Sequence, residues 1–369
     1  MASINSPAKY RISIMKILYT TLFLWLALLA PWAFGQTVTG AGSSAAAPIY
    51  RSWAKAYSQA TGTTVAYEPI GSSAGMKKIQ QQAVGFGATD VYPAETELIE
   101  HRLIALPVAI TGISPVVNLP KVKSGQLRLT GDVLSRIFMG EVRQWNAPEI
   151  TALNPDLTLP DLPIRVAVRS DGSGTTYNFA DYLSKVSPRW KATYGAKNTI
   201  ARPEGALPFK GSEGMAKGVL ATPGAIGYVD FGYVGEYALT AVQLKNAEGA
   251  FVKPSIDAFR AALAHSEWAS AGTFHTALTE RPGKAAWPIT MGTFVVLPKV
   301  APDTEQTTQA LRFIIWAFLN GDTLVQENNF VRLPDRVQAS AFRVITSVRD
   351  KSGMPLGMGL VSSANGVAK

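Results

Sequence analysis

The stretch IRVAVRSDGSGTTYNFADYLSKV, residues 164–186, contains the pattern from which the fold can be predicted. Residues 164–168 are rich in β-branched side chains, which is typical of a strand. Residues 169–174 are predicted to be a loop, made of one arginine followed by serine, aspartate and glycine. Apolar residues then recur at helical spacing over 175–186. The stretch therefore predicts a strand, a loop and a helix in succession.

The same order of elements occurs twice earlier in the chain. Residues 37–60 and 64–83 each begin with a short run of strand-forming residues, continue through a Gly/Ser loop and end in an amphipathic helical pattern. A further amphipathic helix is predicted over 304–320. Alternation of this kind favours α/β layers. The length of 369 residues, with no internal repeat or long linker, indicates two domains, one of them discontinuous.

The composition excludes several classes of protein. Hydrophobic residues make up 47% of the chain, which is enough for a large core. The chain has no cysteine, which excludes disulfides, thiolate metal sites, cysteine nucleophiles and a lipid anchor on an N-terminal cysteine. It has only three histidines, which leaves little material for imidazole chemistry. We therefore expect neither a metal nor a cofactor.

The N-terminus has the pattern of an export signal. Residues 1–35 contain three basic residues and no acid, and an apolar run covers 17–34. Small residues flank Phe34, so cleavage is predicted before Gln36. A membrane anchor is the alternative, since the run is near the lower length limit for spanning. Cleavage would lower the net charge from +9 to +6.

Three Gly/Ser loops precede predicted helices, at 40–44, 71–75 and 171–175. The first backbone N–H groups of a helix are unpaired and carry partial positive charge, so they bind anions. Serine at these positions is also explained by ordinary helix capping. The recurrence of the loop, with Arg169 just before the third, favours an oxyanion site.

Two of the loops also fit enzyme motifs. Residues 40–45 match the dinucleotide pattern G-x-G-x-x-A, but Pro48 would lie inside the helix that this motif opens. Residues 71–75 match the nucleophile motif G-x-S-x-G, for which His265 and His275 are the later histidines. Neither histidine has a distinctive setting. The sequence favours an oxyanion-binding protein over a nucleotide-binding enzyme or a hydrolase.

Longer stretches carry a family resemblance over residues 36–350. They are GAGSSAAAPIY (40–50), YEPIGSSAGMKKI (67–79), VGFGATD (84–90), LSRIFMGEVRQWN (134–146), VRSDGSGTTYNF (168–179), PGAIGYVDF (223–231), AWPIT (286–290) and LPDRV (333–337). Together they resemble the periplasmic phosphate-binding proteins of bacterial phosphate ABC transporters, the PstS family.

The resemblance implies a two-domain periplasmic binding protein that closes on its ligand like a hinged clamp. One domain would combine 36–112 with 288–350, the other would be 113–287, and two hinge crossovers would join them. Residues 351–369, rich in Gly, Ser and Ala, are predicted to be a loose tail. The implied function is to bind inorganic phosphate and deliver it to a membrane permease driven by an ATPase. We expect a monomer that binds no nucleic acid.

The family's phosphate ligands can be transferred position by position. They fall on Ser44, Ala45, Ser72, Asp90, Arg169, Ser173, Gly174 and Thr175. Asp171 matches the acid that orients the arginine. The family more often has an aromatic residue and a proline where this chain has Ala45-Ala46, which affects packing at the cleft mouth more than the chemistry.

Among these residues Asp90 is unusual, because it would direct a carboxylate at an anion. The arrangement makes sense if the ligand carries a proton that Asp90 accepts, which sulfate lacks at neutral pH. Arsenate and phosphonates are alternative protonated ligands, although an enclosed site should reject a phosphonate's substituent. An exported phosphatase on the same fold is the alternative from another class, but it needs a nucleophile with a base or a metal cluster.

Overall fold

In a computed structural model of the protein, residues 37–200 and 203–367 are described. The strands are β1 Val38–Gly42, β2 Val65–Glu68, β3 Phe86–Thr89, β4 Leu103–Val117, β5 Arg128–Leu129, β6 Arg165–Arg169, β7 Leu207–Phe209, β8 Ala225–Asp230, β9 Thr240–Ala241, β10 Gln243–Lys245, β11 Phe251–Val252 and β12 Thr290–Pro298. The helices are α1 Ala47–Thr61, α2 Ser72–Gln80, α3 Glu95–Glu100, α4 Gly131–Phe138, α5 Pro148–Thr151, α6 Gly174–Val186, α7 Pro188–Thr193, α8 Gly211–Ala221, α9 Phe231–Glu236, α10 Ile256–Ala264, α11 Glu267–Ala271, α12 Thr304–Asn320, α13 Asp322–Glu327, α14 Asp335–Thr346 and α15 Leu356–Val367.

One large sheet runs through the molecule in the order β2-β1-β3-β12-β4-β8-β6-β7, and β9 also pairs with β4. At one end β1 is parallel to β2 and β3, and at the other β6 is parallel to β7 and β8. In the middle β12 is antiparallel to both β3 and β4. Each half therefore has its own group of parallel strands, and the carboxyl ends of such strands are where ligands bind in α/β sheets.

The two halves are connected through β4, whose 15 residues are all buried. As far as Gly112, which is opposite Thr290, this strand pairs with β12. From Ile113 onward it pairs with β8 instead. The Ile113 N–H donates to the Ile289 carbonyl at 2.8 Å, so the outgoing and returning chain segments touch at this change of partner. The predicted α/β fold with two chain crossovers is confirmed.

The apolar core follows the same division only in part. One cluster fills the second half, where it includes four fully buried tryptophans, Trp145, Trp190, Trp268 and Trp287, and it also extends into the first half through residues such as Ile110, Phe294 and Val331. A second cluster lies in the first half, where Tyr50, Phe86 and Phe313 pack together with ring centroids 5.4 to 5.8 Å apart. Each half thus has apolar packing of its own to support its side of the site.

The C-terminal segment differs from the loose tail predicted over 351–369. Its main element is α15, and Leu356, Leu360 and Val361 of that helix pack against the core of the first half. A Cβ atom at Gly357 would lie 2.0 Å from the Ile345 carbonyl oxygen. The small residues, which were interpreted as a sign of looseness, therefore allow this helix to approach α14 closely.

The first Gly/Ser loop is also shorter than predicted. Gly40–Gly42 belong to β1, because this strand is paired on both sides by β2 and β3. The predicted export signal, residues 1–35 with cleavage before Gln36, lies outside the described residues. Within 37–200 and 203–367, no helix has the length and apolar character required to cross a membrane.

Helix α2 packs very closely on β1 at Gly75. A Cβ atom at this position would lie 2.3 Å from the Gly42 Cα and 2.6 Å from the Ala41 carbonyl oxygen. Both are backbone atoms, so a side chain could be accommodated only by moving the helix away from the strand. The last glycine of the 71–75 loop therefore has a packing role.

We predict that Gly75→Ala lowers the free energy of unfolding by about 1–3 kcal/mol, because the methyl group overpacks this contact. Gly235→Ala is the matched control, since Gly235 lies in helix α9 and a Cβ atom there would meet no other atom within 4 Å. That variant should be neutral or slightly stabilising. Urea denaturation measures both, and equal stabilities for the two variants would contradict the packing argument.

A buried carboxyl lies beside the point where β4 changes partner. Asp230 is fully buried at the end of β8, and its Oδ2 accepts a hydrogen bond from the Thr111 hydroxyl at 2.7 Å. Its Oδ1 accepts from the Gly232 N–H at 2.9 Å. Burial raises the pKa of Asp230 to about 7, with a smaller contribution from the negative charge of Asp90. The folded protein therefore holds a proton here that the unfolded chain releases near its ordinary value of 3.8.

Between about pH 4 and pH 7 the folded state thus binds more protons at Asp230 than the unfolded state does. This contribution to stability is fully present at the acid end and is lost as the pH rises through the folded pKa. We predict that the stability of the native protein relative to Asp230→Asn falls across this interval, by at most about 1.4 kcal/mol for each pH unit crossed. Urea denaturation at several pH values tests this, and a constant difference would argue against it.

Candidate functional site

The first loop of the site follows β1 and precedes α1. Ser43 and Ser44 are both buried there, and their backbone carbonyls accept hydrogen bonds from Tyr67 at 2.7 Å and Tyr233 at 2.8 Å. The Ser44 hydroxyl is 3.0 Å from the Ser212 hydroxyl. These contacts fix two adjacent serines at the carboxyl end of a central strand.

Arg169 ends β6 and brings a buried positive charge into the same place. Its side chain is 2% exposed, and its Nε and Nη2 donate to the two carboxylate oxygens of Asp171 at 2.8 and 2.5 Å. Nη2 also lies 3.0 Å from the Ser44 hydroxyl, and Nη1 lies 3.4 Å from that of Ser212. The forked pairing with Asp171 sets the plane of the guanidinium, so its outer edge faces the serines.

Asp171 is ionised in this arrangement. Burial opposes its charge, but the hydrogen bonds and charge of Arg169 and a hydrogen bond from the Gly211 N–H hold the pKa of Asp171 below its ordinary value. The Gly211 N–H donates to Oδ1 at 3.0 Å. The carboxylate thus links the third loop to the start of α8.

Ser72 lies where the first half meets the third loop. It begins α2 behind Gly71, whose φ of 94° is in the range that favours glycine. The Ser72 hydroxyl accepts from the Gly174 N–H at 3.1 Å and lies 3.4 Å from the Asp90 backbone nitrogen. The N-termini of α2 and α6 therefore meet at one hydroxyl, which brings the start of both helices to the site.

Ser173 and Thr175 flank Gly174 at the start of α6. The Ser173 oxygen caps the helix by accepting from the Thr176 N–H at 3.2 Å. This uses a lone pair and leaves the hydroxyl proton available for a ligand. Thr175 Oγ1 is buried and has no hydrogen-bond partner within the described chain. Its proton is therefore available to an acceptor placed at the start of α6.

Asp90 follows β3 and is 3% exposed. Burial raises the pKa of its carboxyl above the ordinary value, while the Ser43 hydroxyl and the charge of Arg169 act in the opposite direction. The Asp90 carbonyl accepts from Asn178 Nδ2 of α6 at 2.7 Å. An acceptor is thus held among donors.

The structure brings the predicted residues of all three loops to one buried place. Ala45 is fully buried directly after Ser44, and because its methyl side chain has no hydrogen-bonding group it can offer a ligand only its backbone N–H. Two hydroxyls in the site were missed: Ser43, which is within the quoted first loop, and Ser212, which follows Gly211 at the start of α8. The Gly-Ser pair before that helix repeats the loop pattern and could have identified Ser212.

The enzyme alternatives are not supported by the positions of their residues. Helix α1 begins at Ala47, so Pro48 lies in its first turn, and the helix does not open at Gly42 as a dinucleotide motif requires. The Ser73 hydroxyl accepts from Asn198 at 3.3 Å, His265 is bonded to the Ala261 carbonyl, and His275 is stacked on Tyr92. Among the described residues no group of His, Asp or Glu side chains could hold a metal ion.

Comparison with known proteins gives consistent matches along most of the chain. A family model described as a PBP superfamily domain matches residues 30–316. The phosphate-binding protein PstS of Haemophilus influenzae is 41% identical over 305 residues, covering 82% of this chain and 91% of that protein. The phosphate-binding protein PstS of Pasteurella multocida is 42% identical over 323 residues, covering 87% of this chain and 93% of that protein.

The fold also matches solved structures. A crystal structure of a phosphate-binding protein from Stenotrophomonas maltophilia is 19% identical, covers 87% of this chain and 99% of that chain, and superposes with a TM-score of 0.65. At this identity the likeness shows the fold alone, which is the two-domain fold of the periplasmic binding proteins. The family model and the two PstS relatives together show that the chain belongs to the PBP superfamily and, within it, to the PstS family of phosphate-binding proteins.

Proposed function

We propose that the protein binds inorganic phosphate at the site formed by its three loops and delivers it to the permease and ATPase of a phosphate ABC transporter. The observation that carries the proposal is the buried carboxylate of Asp90 among donors from Ser44, Arg169 and the α6 N-terminus. The proteins it resembles are named for phosphate binding. In this role the protein is a binding protein and does no chemistry on its ligand.

Selectivity follows from the mixture of donors and one acceptor. Hydroxyls, N–H groups and Arg169 can saturate the oxygens of a tetrahedral anion in a site closed to water. Asp90 adds an acceptor that only a protonated ligand can satisfy. Sulfate would meet an unpaired buried carboxylate, which costs several kcal/mol.

Residues from both halves form the proposed binding site, which explains why ligand binding would close the protein. Ser44, Ala45, Ser72 and Asp90 come from 36–112, and the Arg169 loop comes from 113–287. We infer that these ranges, with 288–350 completing the first, are the two domains, and that the hinge lies where β4 changes partner. A ligand that contacts residues on both sides favours the closed arrangement.

We further propose that the protein acts in the periplasm as a monomer, without cofactor or metal. Its N-terminal pattern predicts export. The charge that remains after cleavage is +6, and only one arginine of the proposed ligand set contributes to it, so overall charge says little about the ligand.

Isothermal titration calorimetry on ligand-stripped protein tests the proposed function. We expect tight binding of phosphate, comparable binding of arsenate because its geometry and protonation are alike, much weaker binding of sulfate, and no measurable binding of a phosphonate with a bulky substituent. Preference for a phosphonate would identify a different ligand class. Absence of phosphate binding, or release of phosphate from a phosphomonoester, would overturn the proposal.

We predict that Asp90→Asn narrows the preference for phosphate over sulfate, because the amide can donate a hydrogen bond where the carboxylate only accepts. Loss of an unpaired buried charge should improve sulfate binding by roughly 10- to 100-fold, at about 1.4 kcal/mol per tenfold change. Asp132→Asn is the matched control, since Asp132 lies in the first turn of α4 away from the site. An unchanged preference in Asp90→Asn would contradict the assigned role.

A further inference from the structure

Ser43 makes the closest contact with the carboxylate of Asp90. Its Oγ lies 2.7 Å from both Asp90 oxygens, and the serine is fully buried. The pair joins the loop after β1 to the loop after β3. Ser43 was not among the residues that sequence reasoning placed in the site, and its hydroxyl faces the carboxylate that sets ligand selectivity.

The Ser43 hydroxyl donates to Asp90 and accepts from a second group. The Ser43 Oγ accepts a hydrogen bond from the Ala46 N–H at 3.1 Å. With a lone pair engaged by that donor, the hydroxyl proton is free to be shared between the two Asp90 oxygens. A hydroxyl equidistant from both oxygens suits an ionised carboxylate, because neither oxygen then carries a proton.

Several other titratable groups face Asp90. Arg169 contributes a positive charge that favours the ionised form. Asp230 is a second buried carboxyl whose interaction with Asp90 is repulsive when both are charged. Tyr50 and Tyr67 stay neutral, because burial raises the pKa of each phenol far above its ordinary value. Burial and Asp230 therefore oppose ionisation of Asp90. The Ser43 hydroxyl is the largest influence that supports it, followed by the Thr293 hydroxyl, the charge of Arg169 and the Ser72 hydroxyl.

We propose that Ser43 is a positioning residue that keeps Asp90 ionised and aimed as an acceptor, and so sets the pH range in which the site rejects anions without a proton. The inference rests on the proposed phosphate-binding function. An ionised Asp90 can only accept hydrogen bonds, so it is satisfied only by a ligand that carries a proton. Once Asp90 takes up a proton of its own, it becomes a donor, and an anion such as sulfate then meets a matched site.

Removing the Ser43 hydroxyl should therefore let Asp90 take up its proton at a higher pH. As the pKa of Asp90 rises, the pH at which sulfate begins to compete with phosphate should rise too. The expected shift is about one pH unit for the loss of one hydrogen bond to a charged group. Ser43→Thr keeps the hydroxyl and should retain the native pH profile.

The experiment is a set of calorimetric titrations with phosphate and with sulfate from mildly acidic to mildly alkaline pH. The proteins are the native chain, Ser43→Ala, Ser43→Thr, Asp90→Asn and the double variant of Ser43→Ala with Asp90→Asn. As the pH is lowered, the ratio of the sulfate to the phosphate dissociation constant should fall. We expect this fall to occur at a higher pH in Ser43→Ala than in the native chain. In the Asp90→Asn background the Ser43 substitution should shift nothing, because no carboxyl remains to titrate.

Two results would overturn the inference: a native pH profile in Ser43→Ala, or the same shift when Asp90 is already asparagine. If Ser43→Ala fails to fold because the Ala46 contact is lost, Ser43→Cys replaces it, and its weak S–H donor should give a smaller shift in the same direction. An unshifted profile in Ser43→Cys would also overturn it. Failure of the native protein to bind phosphate at any pH would instead overturn the proposed function.

Discussion

A buried ion pair, between Arg169 and Asp171, organises the site. An unpaired guanidinium at this depth would be strongly destabilising, so its charge has to be matched within the protein. Asp171 matches it from two residues along the same loop and is held in turn by the N-terminus of α8. Because the pair carries no net charge, a ligand is selected by the directions of hydrogen bonds more than by overall attraction.

Helix capping and ligand binding use different parts of the same hydroxyl groups. Ser173 and Ser43 each accept a hydrogen bond from a backbone N–H near the start of a helix, which uses a lone pair on oxygen. The proton of each hydroxyl remains available to another acceptor. The choice between a structural and a functional serine, which the sequence left open, therefore does not arise at these positions. One residue can serve both roles, because a hydroxyl is donor and acceptor at once.

The strand–loop–helix units could be predicted because each is local: the strand before Arg169 and the helix over 304–320 follow from spacing alone. The positions around Asp90 came from the family resemblance. Ser212 was missed although a Gly-Ser pair begins its helix, because its place beside Ser44 depends on a contact between residues 168 apart in the chain. The helix α15 was missed because small residues that weaken an isolated helix become favourable where Gly357 allows close packing. In both cases the deciding information is the identity of the neighbour in space.

The place of β12 in the sheet has a consequence for the order in which the protein can fold. This strand lies between β3 and β4, yet it is synthesised only after all of the second half. Until residues 290–298 are available, β3 and β4 each present an edge with unpaired N–H and C=O groups, which can pair with other chains. The first half is the earliest to begin and among the last to be completed. A chain built in this way keeps two strand edges exposed through most of its synthesis.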